Sequence, residues 1–95
     1  MTSKQRAYLR SLANNLDTIL YVGVNGVTPA TVHDASQALE ARELIKCCVT
    51  QGAELSAREA CALLCEQLGA EPVQCIGRRF VIYRPSEENP RIVLE

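Results

Sequence analysis

Apolar positions recur along this chain in two rhythms, one of helical and one of strand spacing. Tyr8, Leu9, Leu12 and Ala13 fall on one face behind Thr2 and Gln5, or behind Ser3 as the cap, and predict a helix to about Asn14. Ile19-Leu20-Tyr21-Val22 is a short apolar run bounded by turn residues and reads as a buried strand. Thr28-Pro29 then gives an N-cap followed by proline at the first helical position. The helix it opens carries Val32, Ala35, Ala38 and Leu39 on one face and ends near Arg42. Leu44 to Thr50 is the second strand, apolar on both faces apart from Lys46. Ser56-Ala57-Arg58-Glu59 is another capping box, starting a helix through Ala60, Leu63, Leu64 and Leu68 that Gly69 closes. Val73–Ile76 and Phe80–Tyr83 flank Gly77-Arg78-Arg79 as a hairpin, and Pro85 ends the last strand.

The predicted order is αβαβαββ. Two helical crossovers favour right-handed parallel pairing, and the final hairpin pairs antiparallel. The expected fold is a two-layer α/β domain with a mixed four-stranded sheet, one unit over residues 1–95. Its ordered core is expected over about 3–85, with residues 86–95 an acidic, loosely held tail.

At 95 residues, 47% hydrophobic and 22% charged, the chain suits a single globular core. No apolar run approaches the ~20 residues of a membrane span, and Met1 to Arg6 leads into no apolar signal segment. A cytoplasmic monomer with no membrane partner is the expectation. Net charge is −1, which lacks the basic excess usual in nucleic-acid binders, but the charges are unevenly placed. Residues 1–16 hold Lys4, Arg6 and Arg10 with no acid, while residues 54–71 hold Glu54, Glu59, Glu66 and Glu71 against Arg58 alone. One side of the domain is therefore expected to be locally basic.

The five cysteines, Cys47, Cys48, Cys61, Cys65 and Cys75, lack zinc-site spacing and sit where Val or Ala would serve. They read as buried small hydrophobes, with no metal and no cofactor. His33 is the only histidine, and Asp34 beside it would point ~100° away on a helix. No catalytic constellation is present, so no enzyme is expected. Tyr8, Tyr21, Phe80 and Tyr83 lie in apolar patterns and read mostly as core; Tyr83, at a strand end beside Arg84, is the candidate for stacking.

Gly23-Val24-Asn25-Gly26 sits between a strand and the Thr28-Pro29 helix start. Asn-Gly is also a common hairpin turn, but a helix rather than a second strand follows. At such a junction backbone N–H groups and the helix dipole favour an anion, and glycines allow close approach of a phosphate backbone. K-homology domains clamp single-stranded nucleic acid with a comparable G-x-x-G loop. The same residues also serve as a plain strand-to-helix connection, and local sequence does not separate the two readings.

The pieces Lys4-Gln5-Arg6, Leu9-Arg10-Ser11-Leu12-Ala13, Gly23 to Thr28, Ala38-Leu39, Glu43-Leu44-Ile45-Lys46, Val73 to Gly77 and Tyr83-Arg84-Pro85 occur in a specific order. In that order the chain resembles the YhbY-like bacterial proteins, single CRM (chloroplast RNA splicing and ribosome maturation) domains. The resemblance implies an RNA-binding domain folded like the C-terminal domain of translation initiation factor three, associated with precursors of the large ribosomal subunit. Carried over, Gly23 and Gly26 are the loop glycines enclosing Val24 and Asn25, and Lys4, Arg6 and Arg10 are the basic flank of the first helix. Lys46 and Arg84 match charged family positions. Many members carry Lys or Arg inside the loop and are basic overall; Val24, Asn25 and the slight negative charge here imply weaker RNA affinity, or help from a protein partner.

The function expected is non-catalytic binding of ribosomal RNA during ribosome assembly. The alternative is a protein-interaction module that docks on a ribosomal protein with incidental RNA contact. A Gly26→Asp change is expected to weaken RNA binding with the fold intact.

Overall fold

Each helix of the chain begins with a capping box: Thr2 with Gln5, Thr28 with Thr31 and Ser56 with Glu59. In every case the cap hydroxyl accepts the N–H three residues on, at 3.1–3.2 Å. These caps open α1 (Ser3–Ala13), α2 (Pro29–Arg42) and α3 (Ala57–Leu68). The strands are β1 (Thr18–Val22), β2 (Leu44–Val49), β3 (Glu71–Ile76) and β4 (Arg79–Tyr83), in the expected αβαβαββ order. The structure is a computed structural model and describes residues 1–94. Gly69 ends α3 with φ +64°, the left-handed residue anticipated. β3 starts earlier than its apolar run, taking in Glu71 and Pro72; proline is tolerated because β3 is an edge strand with a register shift between Pro72 and Gln74.

The sheet order is β1-β2-β4-β3. β1 pairs parallel with β2 through the α2 crossover, while β4 pairs antiparallel with both β2 and β3. β3 therefore points the same way as β2 but lies one place away, with β4 filling the gap. The mixed four-stranded sheet with three helices is as expected. The two-layer arrangement is not: the helices divide between the faces, giving three layers. Phe80 and Ile82 join Leu20, Val22, Ile45 and Cys47 in a core under α2 and α3. Val81 and Tyr83 alternate to the other face and join Leu44 and Val73 under Leu9 and Ala13 of α1. Strands apolar on both sides need cover on both sides, and α1 supplies the second.

The acidic tail is not loosely held either. Glu43, fully buried at the end of α2, accepts N–H donors from Ser86 (2.8 Å), Arg91 (2.6 Å) and Ile92 (2.7 Å). Glu40, one turn earlier, accepts the Ser86 hydroxyl and the N–H groups of Glu87 (3.1 Å) and Glu88 (3.2 Å). Ile92 and Leu94 then pack on the α1-side core. Read by charge alone, Glu87 and Glu88 suggest a solvated tail; the anchors are carboxylates at the end of α2 that bind chiefly backbone N–H groups, with the Ser86 hydroxyl beside them. Glu95 lies outside the described residues.

This clamp has a pH sense. The Ser86 hydroxyl and the Glu87 and Glu88 amides hold Glu40 below the ordinary value of 4.5. Burial alone would raise Glu43, but its three N–H donors outweigh that and leave it lowered too. Groups with depressed folded-state pKa values stabilise above the unfolded value and lose that contribution as pH falls through the folded one. The tail is expected to release as pH falls below 4.5 and through the depressed folded-state values of Glu40 and Glu43, seen as loss of the Ser86, Arg91 and Ile92 amide shifts in an NMR titration while core amides persist. Unmoved tail shifts down to global unfolding would remove the clamp's pH sense.

Candidate nucleic-acid interface

Where β1 ends, the Gly26 N–H donates to the Gly23 carbonyl at 3.0 Å, closing a turn on Val24 and Asn25. Neither of these two residues has positive φ, whereas Gly26 has φ +72°. That is a type I turn with glycine following it, not the hairpin turn that Asn-Gly favours. That φ holds Gly26 to glycine, and a Cβ there would also stand 3.3 Å from Leu55 Cδ1, which would have to give way by a few tenths of an ångström. Gly23 has open space around it. Gly26→Asp thus bears on the fold as well as on any ligand, and Gly23 is the cleaner position for a test.

Three loops meet at this end of the sheet. The Thr50 N–H donates to the Val22 carbonyl (2.9 Å) and the Val49 N–H to the Arg78 carbonyl (2.8 Å). The glycine turn, the segment after β2 and the β3–β4 hairpin therefore lie side by side. The α2 N-terminus behind the turn offers less than expected: Thr28 occupies the Thr31 N–H, Pro29 has none, and the cap leaves Ala30.

The cations sort into separate places. Lys4 and Arg10 are exposed on α1, and the Arg6 Nε donates to the Pro72 carbonyl at 3.2 Å. Pro72 is at the opening of β3, so Arg6 sits roughly a strand's length, about 13 Å, from the hairpin that closes it. Lys46 is half-buried on the α1 side of the sheet, beyond the end of the helix. It shares a shallow depression with Asn14, Gln74, Ile76 and Arg79. Arg84 is on the other side: its guanidinium donates to the carbonyls of Leu68 (3.3 Å) and Ser36 (3.0 Å), bracketing α3 to α2. That role takes Arg84 out of the candidate RNA contacts.

Two groups that sequence reasoning passed over stand at this same end of the sheet. Arg78 and Arg79, read there only as hairpin residues, are exposed at the loop end. Tyr21 is 61% exposed. The run Ile19–Val22 suggested full burial, but β1 is an edge strand that buries only Leu20 and Val22. A four-residue apolar run cannot distinguish an edge from a centre. Tyr83, the stacking candidate, is buried in the α1-side core.

Cys75 is likewise exposed on edge strand β3, while Cys47 is buried, its thiol pushed up to about 12 by burial. Among the described residues no group of three or more His, Cys, Asp or Glu side chains could hold a metal ion. His33 is exposed on α2. No helix among the described residues is long and apolar enough to cross a membrane.

Comparison with known proteins relates the chain as a whole to a family. The family model of the CRS1 / YhbY (CRM) domain matches residues 1–84. The "Probable RNA-binding protein YqeI" of Bacillus subtilis is 39% identical over 94 residues, covering 99% of this chain and 98% of that protein. A Haemophilus influenzae protein named "RNA-binding protein" is 35% identical over 89 residues, covering 93% and 89%. The solution structure of the hypothetical protein SAV1595 from Staphylococcus aureus superposes with a TM-score of 0.82 at 42% identity, covering 100% of this chain and 99% of that one.

Proposed function

The chain belongs to the CRS1/YhbY (CRM) domain family, and on that premise we propose that it is a non-catalytic RNA-binding protein. We further propose that it acts as a cytoplasmic monomer on ribosomal RNA of large-subunit precursors during assembly. The observation that carries the reading is that the glycine turn and, across the end of β2, Arg78 and Arg79 stand at the same end of the sheet, with the Lys46 depression on that side. Relatives named as RNA-binding proteins support it.

Backbone amides and arginines around an exposed turn suit the phosphates of a single strand, whose flexible backbone can follow a concave surface. Gly23→Asp places a carboxylate where a phosphate would lie, at a position with room for a side chain. Affinity for a single-stranded RNA is expected to fall about 10-fold, roughly 1.4 kcal/mol, with the melting temperature unchanged. Wild-type affinity is expected to decline with salt at a slope of about −0.7 per phosphate neutralised. Unchanged binding by a folded Gly23→Asp protein would take the turn out of the mechanism.

The ribosomal part of the proposal has its own test. On sucrose gradients of cell lysate the protein should travel with large-subunit particles at low salt and leave them at high salt. Co-sedimentation without any affinity for naked RNA would instead favour docking on a ribosomal protein.

A further inference from the structure

Across the end of the sheet nearest the glycine turn, one row of side chains runs through all four strands. Tyr21 pairs with Cys48, Cys48 with Arg79, and Arg79 with Ile76. Paired residues share a face, so all four stand on the side that α1 occupies further along the sheet. α1 packs on β2, β3 and β4 and stops at Ala13, short of this row. Tyr21 and Ile76, at the two ends, are left 61% and 66% exposed. Single exposed apolar groups are ordinary on a protein surface. A tyrosine and an isoleucine flanking an arginine in one uncovered row are a surface of a particular kind.

Its chemistry favours a nucleic acid. Lys46, in the neighbouring row, and Arg79 line the depression at the end of α1 together with the amides of Asn14 and Gln74, and no acidic side chain lines it. Strands are ~4.8 Å apart, so Arg79 stands about 10 Å from Tyr21 across the sheet. A long guanidinium side chain at that distance can reach the sugar–phosphate backbone of a nucleotide whose base lies on the Tyr21 ring. The row also adjoins the glycine turn, since Tyr21 is two residues before Gly23.

We propose that this open sheet face is a stacking platform for an unpaired base of single-stranded RNA, with Tyr21 as the ring beneath the base and Arg79 and Lys46 holding the adjoining phosphates. The platform rests on the RNA-binding reading and extends it from phosphate contact at a turn to base contact on the sheet. Stacking is tolerant of base identity, so it adds affinity with little sequence preference.

The test compares the full-length wild-type protein with Tyr21→Ala and Tyr21→Phe by fluorescence anisotropy, using a labelled single-stranded RNA of mixed sequence. A stacked base is worth a loss of roughly 5- to 100-fold on truncation to alanine. Tyr21→Ala is therefore expected to weaken binding within that range, and Tyr21→Phe, which keeps the ring, to bind within about 2-fold of wild type. The salt slope should not change, because no cation is removed. Tyr21 is solvent-facing, so both variants should melt like wild type. If wild type binds and Tyr21→Ala matches it, the platform is overturned while RNA binding stands, and the exposed row then fits a protein partner. If wild type binds no RNA, both fall. If Gly23→Asp and Tyr21→Ala each weaken binding, turn and platform both belong to the interface.

Discussion

Replacing Glu43 with alanine is expected to lower the unfolding free energy by about 3–5 kcal/mol, a large share of the ~5–14 kcal/mol typical for a chain of this length. The carboxylate is fully buried and accepts three backbone N–H donors of the tail, at 2.6–2.8 Å. Charge-assisted bonds of this kind contribute about 1.5–3 kcal/mol each. The loss stays below their sum because a tail freed from Glu43 can rehydrate its amides. The same residue also ties α2 to β4, donating its N–H to Leu39 and accepting from Arg84. It does so with φ +66° and ψ −41°, outside both helical wells. Such a backbone costs about 1–3 kcal/mol and persists only where its surroundings over-determine it. Glu43→Gly should therefore be milder than Glu43→Ala by about 1 kcal/mol, since it relieves the backbone while losing the same acceptor.

A denaturant series settles whether the tail is the reason. Truncation after Pro85 removes the three donors, along with Ile92 and Leu94 from the α1-side core. If Glu43 acts through the tail, truncation and Glu43→Ala together cost little more than the larger of the two alone. Additive losses would assign the carboxylate a separate role.

Much of this was readable from local signals. Capping residues, the glycine after α3 and the apolar periods give every element and its order, because they report on forces within a few residues. What lay beyond them depends on partners distant in sequence. The charged tail is held because Glu40 and Glu43 are 43 and more residues upstream of their donors, and no spacing rule reports that. α1 covers the face opposite α2 and α3 because β4 alternates Phe80 and Ile82 with Val81 and Tyr83, a pattern that an unbroken apolar run conceals. The same ambiguity misplaced two aromatics, leaving Tyr21 in the open and Tyr83 inside. Arg84 carried a charge that looked available for RNA, and only the fold reveals two helix carbonyls in front of it. The turn glycines were recognisable as a pair, but their inequivalence was not.

That inequivalence sets the remaining large effect. Gly26→Val is expected to cost about 2–4 kcal/mol, whereas Gly23→Ala should lie within ~0.5 kcal/mol of wild type. At Gly26 the left-handed φ of +72° is costly for a β-branched side chain, and its Cβ would meet Leu55 at 3.3 Å. Leu55 belongs to the segment after β2, so forcing it away disturbs the contact that keeps the turn against its neighbour. At Gly23 neither restraint exists, and an added methyl trims the freedom of the unfolded chain. Thermal melts of the two proteins, read beside the RNA affinity of Gly23→Asp, separate the turn's architecture from its chemistry. Loss of stability at Gly26 together with loss of affinity at Gly23 is the pattern a phosphate-binding turn requires. A Gly26→Val protein as stable as wild type would mean the turn is free to reshape, and a reshaping turn could not present fixed amides to a phosphate.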